Sequence, residues 1–189
     1  MLDFGCGSGR VLQHLRDAQG PELHGCDIHA PSVRWMARAF PELHTWVSPF
    51  RPPLEVEDSR FDCIYAWSVF SHLPEPDMRD WLIELRRVLA PGGLLLVSTL
   101  GEDSELPGRL RAPRVDRSAV QSRGIVFVPY VRGDGLCGEE FTGTAQDYGI
   151  TYISHEYARR TFGEVLDVVD ILPLELDSIQ DLTVLRRRA

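Results

Sequence analysis

The chain has 189 residues, 43% of them hydrophobic, and a net charge of −8, which is the size and composition of one globular domain. The negative charge disfavours a general nucleic-acid-binding function, because such proteins need a basic surface to displace counterions. All 20 basic residues are Arg, and the lack of Lys excludes a Schiff-base lysine and the lysine of a phosphate-binding P-loop.

No apolar run approaches the ~20 residues of a membrane span, and no basic and then apolar leader opens the chain. We therefore expect a cytoplasmic protein that has no membrane partner. The four cysteines (Cys6, Cys26, Cys63 and Cys137) form no C-x-x-C pair. This spacing predicts reduced, mostly buried thiols and no metal site.

A glycine-rich turn lies at the start of the chain, where residues 3–10 read DFGCGSGR. Glycine lets a ligand approach the main chain closely. The apolar spacing that follows predicts a helix, whose first N–H groups would point at the ligand. The third glycine of a dinucleotide fingerprint would fall at Arg10, which weakens a nicotinamide interpretation.

A second short strand over residues 23–28 ends in Asp27. A carboxylate at this distance from a glycine turn accepts the hydroxyls of a ribose in doubly wound folds. The alternative is an acid that caps a helix or faces solvent. A helix over residues 32–40 and a possible third strand over residues 43–47 follow.

The next predicted elements are a buried strand (residues 61–67), a helix (77–89) with Asp77 as its N-cap, and a second buried strand (94–99). Strands that alternate with helices predict a parallel sheet covered on both faces. His72 follows the first of these strands. It is a candidate catalytic base, since its ordinary pKa lies near 6.5, or else a packed histidine at a strand–helix corner.

The alternation ends near residue 100. Residues 101–123 have no clear period, residues 124–130 and 149–154 predict a β-ribbon with a turn at 132–135, and Ser154 is a candidate helix cap. Two final strands (165–172 and 181–187) should pair antiparallel. We predict a single domain over residues 1–189, in which residues 101–150 form a lid on the substrate side.

Four ordered segments resemble the class I S-adenosylmethionine-dependent methyltransferases, in the branch that acts mostly on small molecules. They are LDFGCGSGRVLQHL (2–15), GCDIH (25–29), FDCIYAWSVFSHL (61–73) and LRRVLAPGGLLLVST (85–99). The resemblance covers about the first hundred residues. It implies an α/β, doubly wound, Rossmann-like and mostly parallel sheet, with an antiparallel C-terminal strand pair and an insertion after the fifth strand.

The resemblance also implies S-adenosylmethionine as the cofactor and assigns the residues around it. The cofactor-binding set is Asp3, Gly5, Cys6, Gly7, Asp27, Ile28, Trp67 and Ser68. Asp3 and the glycine turn would face the methionine part, Asp27 the ribose and Ile28 the adenine, with Trp67 and Ser68 near the methyl group. Ser48, Glu55 or no side chain at all would receive the adenine amino group.

The expected reaction is methyl transfer to an O, N or C atom of a small molecule, without nucleic acid. One alternative is a non-catalytic binding module on the same scaffold, because relatives usually carry helices ahead of the first strand. Only Met1 and Leu2 precede Asp3 here, so we expect such a segment to be missing from this chain. The other alternative is an NAD(P)-dependent oxidoreductase.

Overall fold

A seven-stranded sheet forms the centre of the fold. The structure is a computed structural model that describes residues 1–16, 20–106, 115–130 and 147–189. In chain order the strands are β1 (Leu2–Phe4), β2 (His24–Asp27), β3 (His44–Val47), β4 (Phe61–Ala66), β5 (Leu89–Thr99), β6 (Ile125–Pro129), β7 (Gly149–Ile153), β8 (Asp167–Leu176) and β9 (Gln180–Arg186). The helices are α1 (Leu12–Leu15), α2 (Ala30–Ala39), α3 (Glu75–Val88), α4 (Arg117–Arg123) and α5 (His155–Gly163).

The strand order is β3-β2-β1-β4-β5-β9-β8. The first five of these strands pair in parallel, whereas β9 runs antiparallel to both β5 and β8. This arrangement confirms the predicted doubly wound class and its antiparallel C-terminal pair. The chain order reverses between β1 and β4, and ligands of such sheets bind outside the carboxyl ends of the strands at that point.

Helix α3 fixes the end of β1 from one face of the sheet. Its buried residues recur at helical spacing (Met78, Trp81, Leu82, Leu85 and Val88). The Trp81 ring lies 4.7 Å from the ring of Phe4, the last residue of β1. The helix begins at Glu75, so the prediction of Asp77 as N-cap was wrong. Pro76 lies in the first turn, where the missing N–H of proline removes no helical hydrogen bond.

The β-ribbon of β6 and β7 is confirmed as an antiparallel pair, from Ile125 opposite Ile153 to Pro129 opposite Gly149. It joins the main sheet through a parallel bridge between Leu100 and Tyr152. Residues 101–123 are not irregular throughout, because α4 forms where Asp116 caps the Ser118 N–H. The predicted turn at 132–135 and Cys137 lie outside the described residues.

The C-terminal elements also follow the sequence. Ser154 caps α5 by accepting a hydrogen bond from the Tyr157 N–H, as predicted. In the part of the chain that the structure describes, no helix is long and apolar enough to cross a membrane.

Candidate active site

A cleft opens at the carboxyl ends of β1, β2 and β4, where the strand order reverses. Its volume is about 120 Å³, or about 580 Å³ when the space of the open mouth is included. On one side lie Gly5, Asp27, Ile28, Ser48 and Phe50, from β1, β2 and the loop after β3. On the other lie Trp67, Ser68, Val69, Leu73, Trp81 and Tyr148, from the segment after β4, from α3 and from the start of β7.

The glycine turn donates its N–H groups inside the protein. Gly5 and Cys6 both bond the Cys26 carbonyl (2.8 and 3.0 Å), and Gly9 bonds the Cys6 carbonyl (2.8 Å). The Gly7 N–H bonds the Asp27 carboxylate (2.8 Å). The N–H groups of Gly5, Cys6, Gly7 and Gly9 are thus taken by acceptors of the protein itself. The orientation of the first N–H groups of α1 toward a ligand stays a prediction.

Gly5 lets two segments meet at the centre of the site. Its φ is +84°, and a Cβ there would lie 2.3 Å from Cγ2 of Val69. Val69 lines the cleft. The missing side chain thus brings the segment after β4 against the end of β1.

Asp27 is held in place by the main chain. One carboxylate oxygen accepts from the Gly7 N–H at 2.8 Å, and the other from the His29 N–H at 2.7 Å. Each oxygen has a further lone pair, so the carboxylate can also accept two vicinal hydroxyls. This geometry supports the ribose-binding prediction.

The surroundings of Asp27 suit the face and edge of an adenine. Ile28 is 39% exposed although it is apolar, and it lines the cleft. Ser48 and Phe50 close the same side. Glu55 lines a different cavity with His24 and Trp46. Of the two side chains considered for the adenine amino group, Ser48 is the one that lies at the cleft.

Asp3, Cys6 and Gly7 do not line the cleft, and their contact with a cofactor stays a prediction. Asp3 is 3% exposed, and burial raises its pKa to about 7, with the Tyr65 hydroxyl opposing this rise and Asp27 adding to it. Burial raises the pKa of the Cys6 thiol to about 12, so this thiol remains protonated. Tyr65 lies opposite Asp3 in register, and burial together with its contact to the Asp3 carboxyl raises the pKa of the Tyr65 hydroxyl.

Trp67 and Ser68 follow β4 directly and line the cleft, and their position near the methyl group stays a prediction. Ser68 has a φ of +56°, and its N–H bonds the Ser98 hydroxyl at 2.7 Å. The Ser68 hydroxyl accepts from the Gln180 side-chain amide at 2.8 Å. Its own hydrogen remains for a ligand.

His72 lies in a short 3-10 helix and is half-buried behind the cleft. Its Nδ1 is 2.9 Å from the Gly149 carbonyl and 3.0 Å from the Tyr130 hydroxyl. Because a carbonyl only accepts, Nδ1 carries the hydrogen and Nε2 carries the lone pair. Burial lowers the pKa of His72, so the ring is neutral at neutral pH. The cleft-lining ring nearest to it is Tyr148, and the catalytic role of His72 stays a prediction.

Tyr148 was missed by the sequence reasoning. Its ring stacks on His72, with centroids 5.1 Å apart and an interplanar angle of 20°, and it lines the cleft. An aromatic residue just before the predicted strand at 149–154 was the available signal. Within the described ranges, no group of three or more His, Cys, Asp or Glu is placed to hold a metal ion.

Comparison with known proteins identifies the family. The profile of the family described as "Methyltransferase domain" matches residues 2–95. Residues 2–95 therefore belong to this family, which is one of the class I S-adenosylmethionine-dependent methyltransferases, whose cofactor is S-adenosylmethionine.

Curated relatives carry the same region. A malonyl-[acyl-carrier protein] O-methyltransferase of Pseudescherichia vulneris is 34% identical over 104 residues, which are 55% of this chain and 40% of that protein. A tRNA U34 carboxymethyltransferase of Azotobacter vinelandii is 32% identical over 139 residues, which are 69% of this chain and 41% of that protein. The chain thus spans about two fifths of the length of these relatives.

Solved structures share the fold. A S-adenosylmethionine-dependent methyltransferase of Methanosarcina mazei superimposes with a TM-score of 0.67 at 20% identity, and the match covers 99% of this chain and 91% of that one.

The residues of the cleft fit the family's cofactor. Asp27 offers oriented acceptors for a ribose, and Ile28 offers an apolar face for a base.

Proposed function

We propose that this domain binds S-adenosylmethionine and transfers its methyl group to an O, N or C atom of a small-molecule acceptor. The observation that supports this best is the cleft at the strand-order reversal, with Asp27 fixed by two main-chain N–H groups. When bound, the cofactor supplies a methyl carbon on a sulfonium, so that the acceptor's lone pair forms the new bond, the old bonding pair stays on sulfur, and any acceptor proton leaves to base or solvent.

The protein's contribution is to position the reactants and to exclude water. Asp27 and Ile28 would hold the adenosine part, and Trp67 and Ser68 would lie beside the reacting centre. Phe4, Trp81 and Leu73 supply apolar walls, which remove water from the acceptor side.

A small acceptor is favoured over RNA by charge. The net charge is −8, and a polyanion gains no counterion release from an acidic surface. Arg51, beside the cleft residue Phe50, is paired with Asp77 at 3.3 Å and with Asp147 at 3.0 Å. The A. vinelandii relative is named for tRNA, so RNA is the competing acceptor to test.

The cofactor assignment is tested by calorimetric titration of S-adenosylhomocysteine. We expect Asp27→Asn to weaken binding about 10- to 100-fold, because a hydrogen bond to a charged group contributes about 1.5–3 kcal/mol. Asp62→Asn is the matched control, since Asp62 is exposed at the opposite end of β4, and it should bind as the parent does. Equal affinities for all three proteins would contradict the role of Asp27.

A titration with NAD and NADP tests the oxidoreductase alternative. Binding of either one, with no binding of S-adenosylhomocysteine, would replace the proposal.

The acceptor class is tested with methyl-labelled S-adenosylmethionine and three fractions of source cells: filtered metabolites, total RNA and protein. Label in the metabolite fraction is the expected result. Label confined to RNA would overturn the small-molecule part of the proposal. Cofactor binding without label in any fraction would support the non-catalytic alternative.

A further inference from the structure

In the part of the chain that the structure describes, the acceptor side of the cleft is aromatic and uncharged. The residues beyond the cofactor side are Trp67, Ser68, Val69, Leu73, Trp81 and Tyr148. None is an acid or a strong base, and Asp27 is the one charged residue among the described residues that line the whole cleft. A charged acceptor would lose its hydration here without gaining a partner.

The Tyr148 ring is oriented from behind by His72. The two rings are nearly parallel, 5.1 Å apart at 20°, and the Tyr130 ring lies 5.7 Å from Tyr148. The hydrogen bond from Nδ1 of His72 to the Gly149 carbonyl prevents rotation of the imidazole. The orientation of the Tyr148 ring is thus fixed before a ligand binds.

Both neighbours of Tyr148 in the chain are also anchored. Asp147 pairs with Arg51 at 3.0 Å, and Gly149 accepts the His72 hydrogen bond and starts β7. An aromatic ring fixed in this way loses little conformational freedom when another ring stacks on it.

We infer that Tyr148 selects the acceptor by stacking, and that the acceptor is a planar, uncharged aromatic or heteroaromatic small molecule. This inference rests on the proposed function, since it names the substrate class of the same cleft. His72 acts as a positioning residue, because it touches Tyr148 and does not itself line the cleft.

A nucleobase of RNA has the same planar chemistry but brings phosphates with it. Near the cleft mouth those phosphates would meet Asp77 and Asp147, which occupy Arg51. The charge around the site therefore favours a free ring over a base in a strand.

The test measures binding of probes to the complex with S-adenosylhomocysteine by saturation-transfer NMR and titration. Naphthol and hydroxyquinoline are the planar probes, cyclohexanol and malonate are the non-aromatic probes, and a hairpin RNA is the polyanionic probe. We expect the two planar probes to bind and the others to bind at least about tenfold more weakly. The affinity for S-adenosylhomocysteine is measured first in the same samples.

Tyr148→Ala should weaken binding of the planar probes about tenfold. Tyr148→Phe should bind them with the affinity of the parent protein, because the phenyl ring still stacks. His72→Ala should lower the ratio of naphthol to cyclohexanol affinity while binding of S-adenosylhomocysteine persists. Trp35→Ala removes an aromatic ring that is 52% exposed and outside the cleft, and it should change nothing.

Three results would overturn the inference: planar probes that bind no better than cyclohexanol, planar binding unaffected by Tyr148→Ala, or RNA that competes with naphthol. Each can occur while S-adenosylhomocysteine still binds, and the proposed function then stands. Loss of S-adenosylhomocysteine binding by the unaltered protein would instead refute the proposed function.

Discussion

At the scale of single residues, the first two glycines of the turn, Gly5 and Gly7, are required for different reasons. Both have positive φ, +84° at Gly5 and +53° at Gly7. A Cβ at Gly5 would collide with Val69, whereas a Cβ at Gly7 would meet nothing within 4 Å. Gly5 is therefore constrained by packing as well as by its backbone, and Gly7 by its backbone alone.

Alanine at each position separates these two effects. We expect Gly7→Ala to lower the free energy of unfolding by about 1–2 kcal/mol, the penalty for a left-handed residue. Gly5→Ala should lower the free energy of unfolding by about 2–5 kcal/mol, because overpacking adds about 1–3 kcal/mol to that penalty. Urea unfolding measures both. Equal losses would show that Val69 moves aside freely.

At the scale of elements, α5 begins at a cap that is itself buried. Ser154 is 4% exposed, and its hydroxyl accepts from the Tyr157 N–H at 3.1 Å. Its own N–H bonds the Gly124 carbonyl at 2.7 Å. One residue thus fixes the start of α5 and the residue just before β6.

Replacing this cap should affect the helix and the ribbon together. We expect Ser154→Ala to lower the free energy of unfolding by about 1–2 kcal/mol, because it leaves a buried N–H of the first turn unpaired. Ser122→Ala on the exposed face of α4 is the matched control and should change it by at most about 0.5 kcal/mol. Denaturant unfolding of both variants provides the comparison, and similar losses would rule out a special role for the cap.

At the scale of the whole molecule, a buried carboxyl in the centre of the sheet makes folding sensitive to pH. Burial raises the pKa of Asp3 to about 7 from its ordinary value of 3.8. The folded state therefore keeps a proton that the unfolded state releases near pH 4. This contribution to stability is complete below that pH, and it is lost as the pH rises through about 7.

Asp3→Asn should remove this pH dependence. Between pH 5 and 7 we expect the free energy of unfolding of the variant to rise by about 1 kcal/mol per pH unit relative to that of the parent protein. The free energy of unfolding of both proteins, measured across that range, tests this. Asp62→Asn, at an exposed position, should keep a constant difference from the parent. A constant difference for Asp3→Asn as well would mean that Asp3 is ionised when buried.

The strands of the sheet could be predicted from the sequence, because the pattern of apolar residues within each short segment agrees with the element that the segment forms in the fold. Apolar runs such as residues 61–67 predict strands without knowledge of the strands that pair with them. The same holds for Asp27, whose distance from the glycine turn is set by one strand–helix–strand unit. These parts depend on short stretches of chain.

Tyr148 could not be predicted in the same way. It reaches the cleft because β7 bridges β5 at Leu100 and because His72 bonds the Gly149 carbonyl. Both contacts join residues that are far apart in the chain, and neither leaves a local pattern. The occupied N–H groups of Gly5 and Cys6 were missed for the same reason, since their acceptor Cys26 lies on another strand.

The attachment of the ribbon beside the cleft uses main-chain acceptors. His72 bonds the carbonyl of Gly149, and the Thr151 hydroxyl donates to the carbonyl of Leu73. A carbonyl is present whatever side chain its residue carries, so the position equivalent to Tyr148 can change while these two anchors remain. Over evolutionary time the domain can therefore exchange one acceptor for another, and a designer can do the same, while the cofactor side around Asp27 stays untouched.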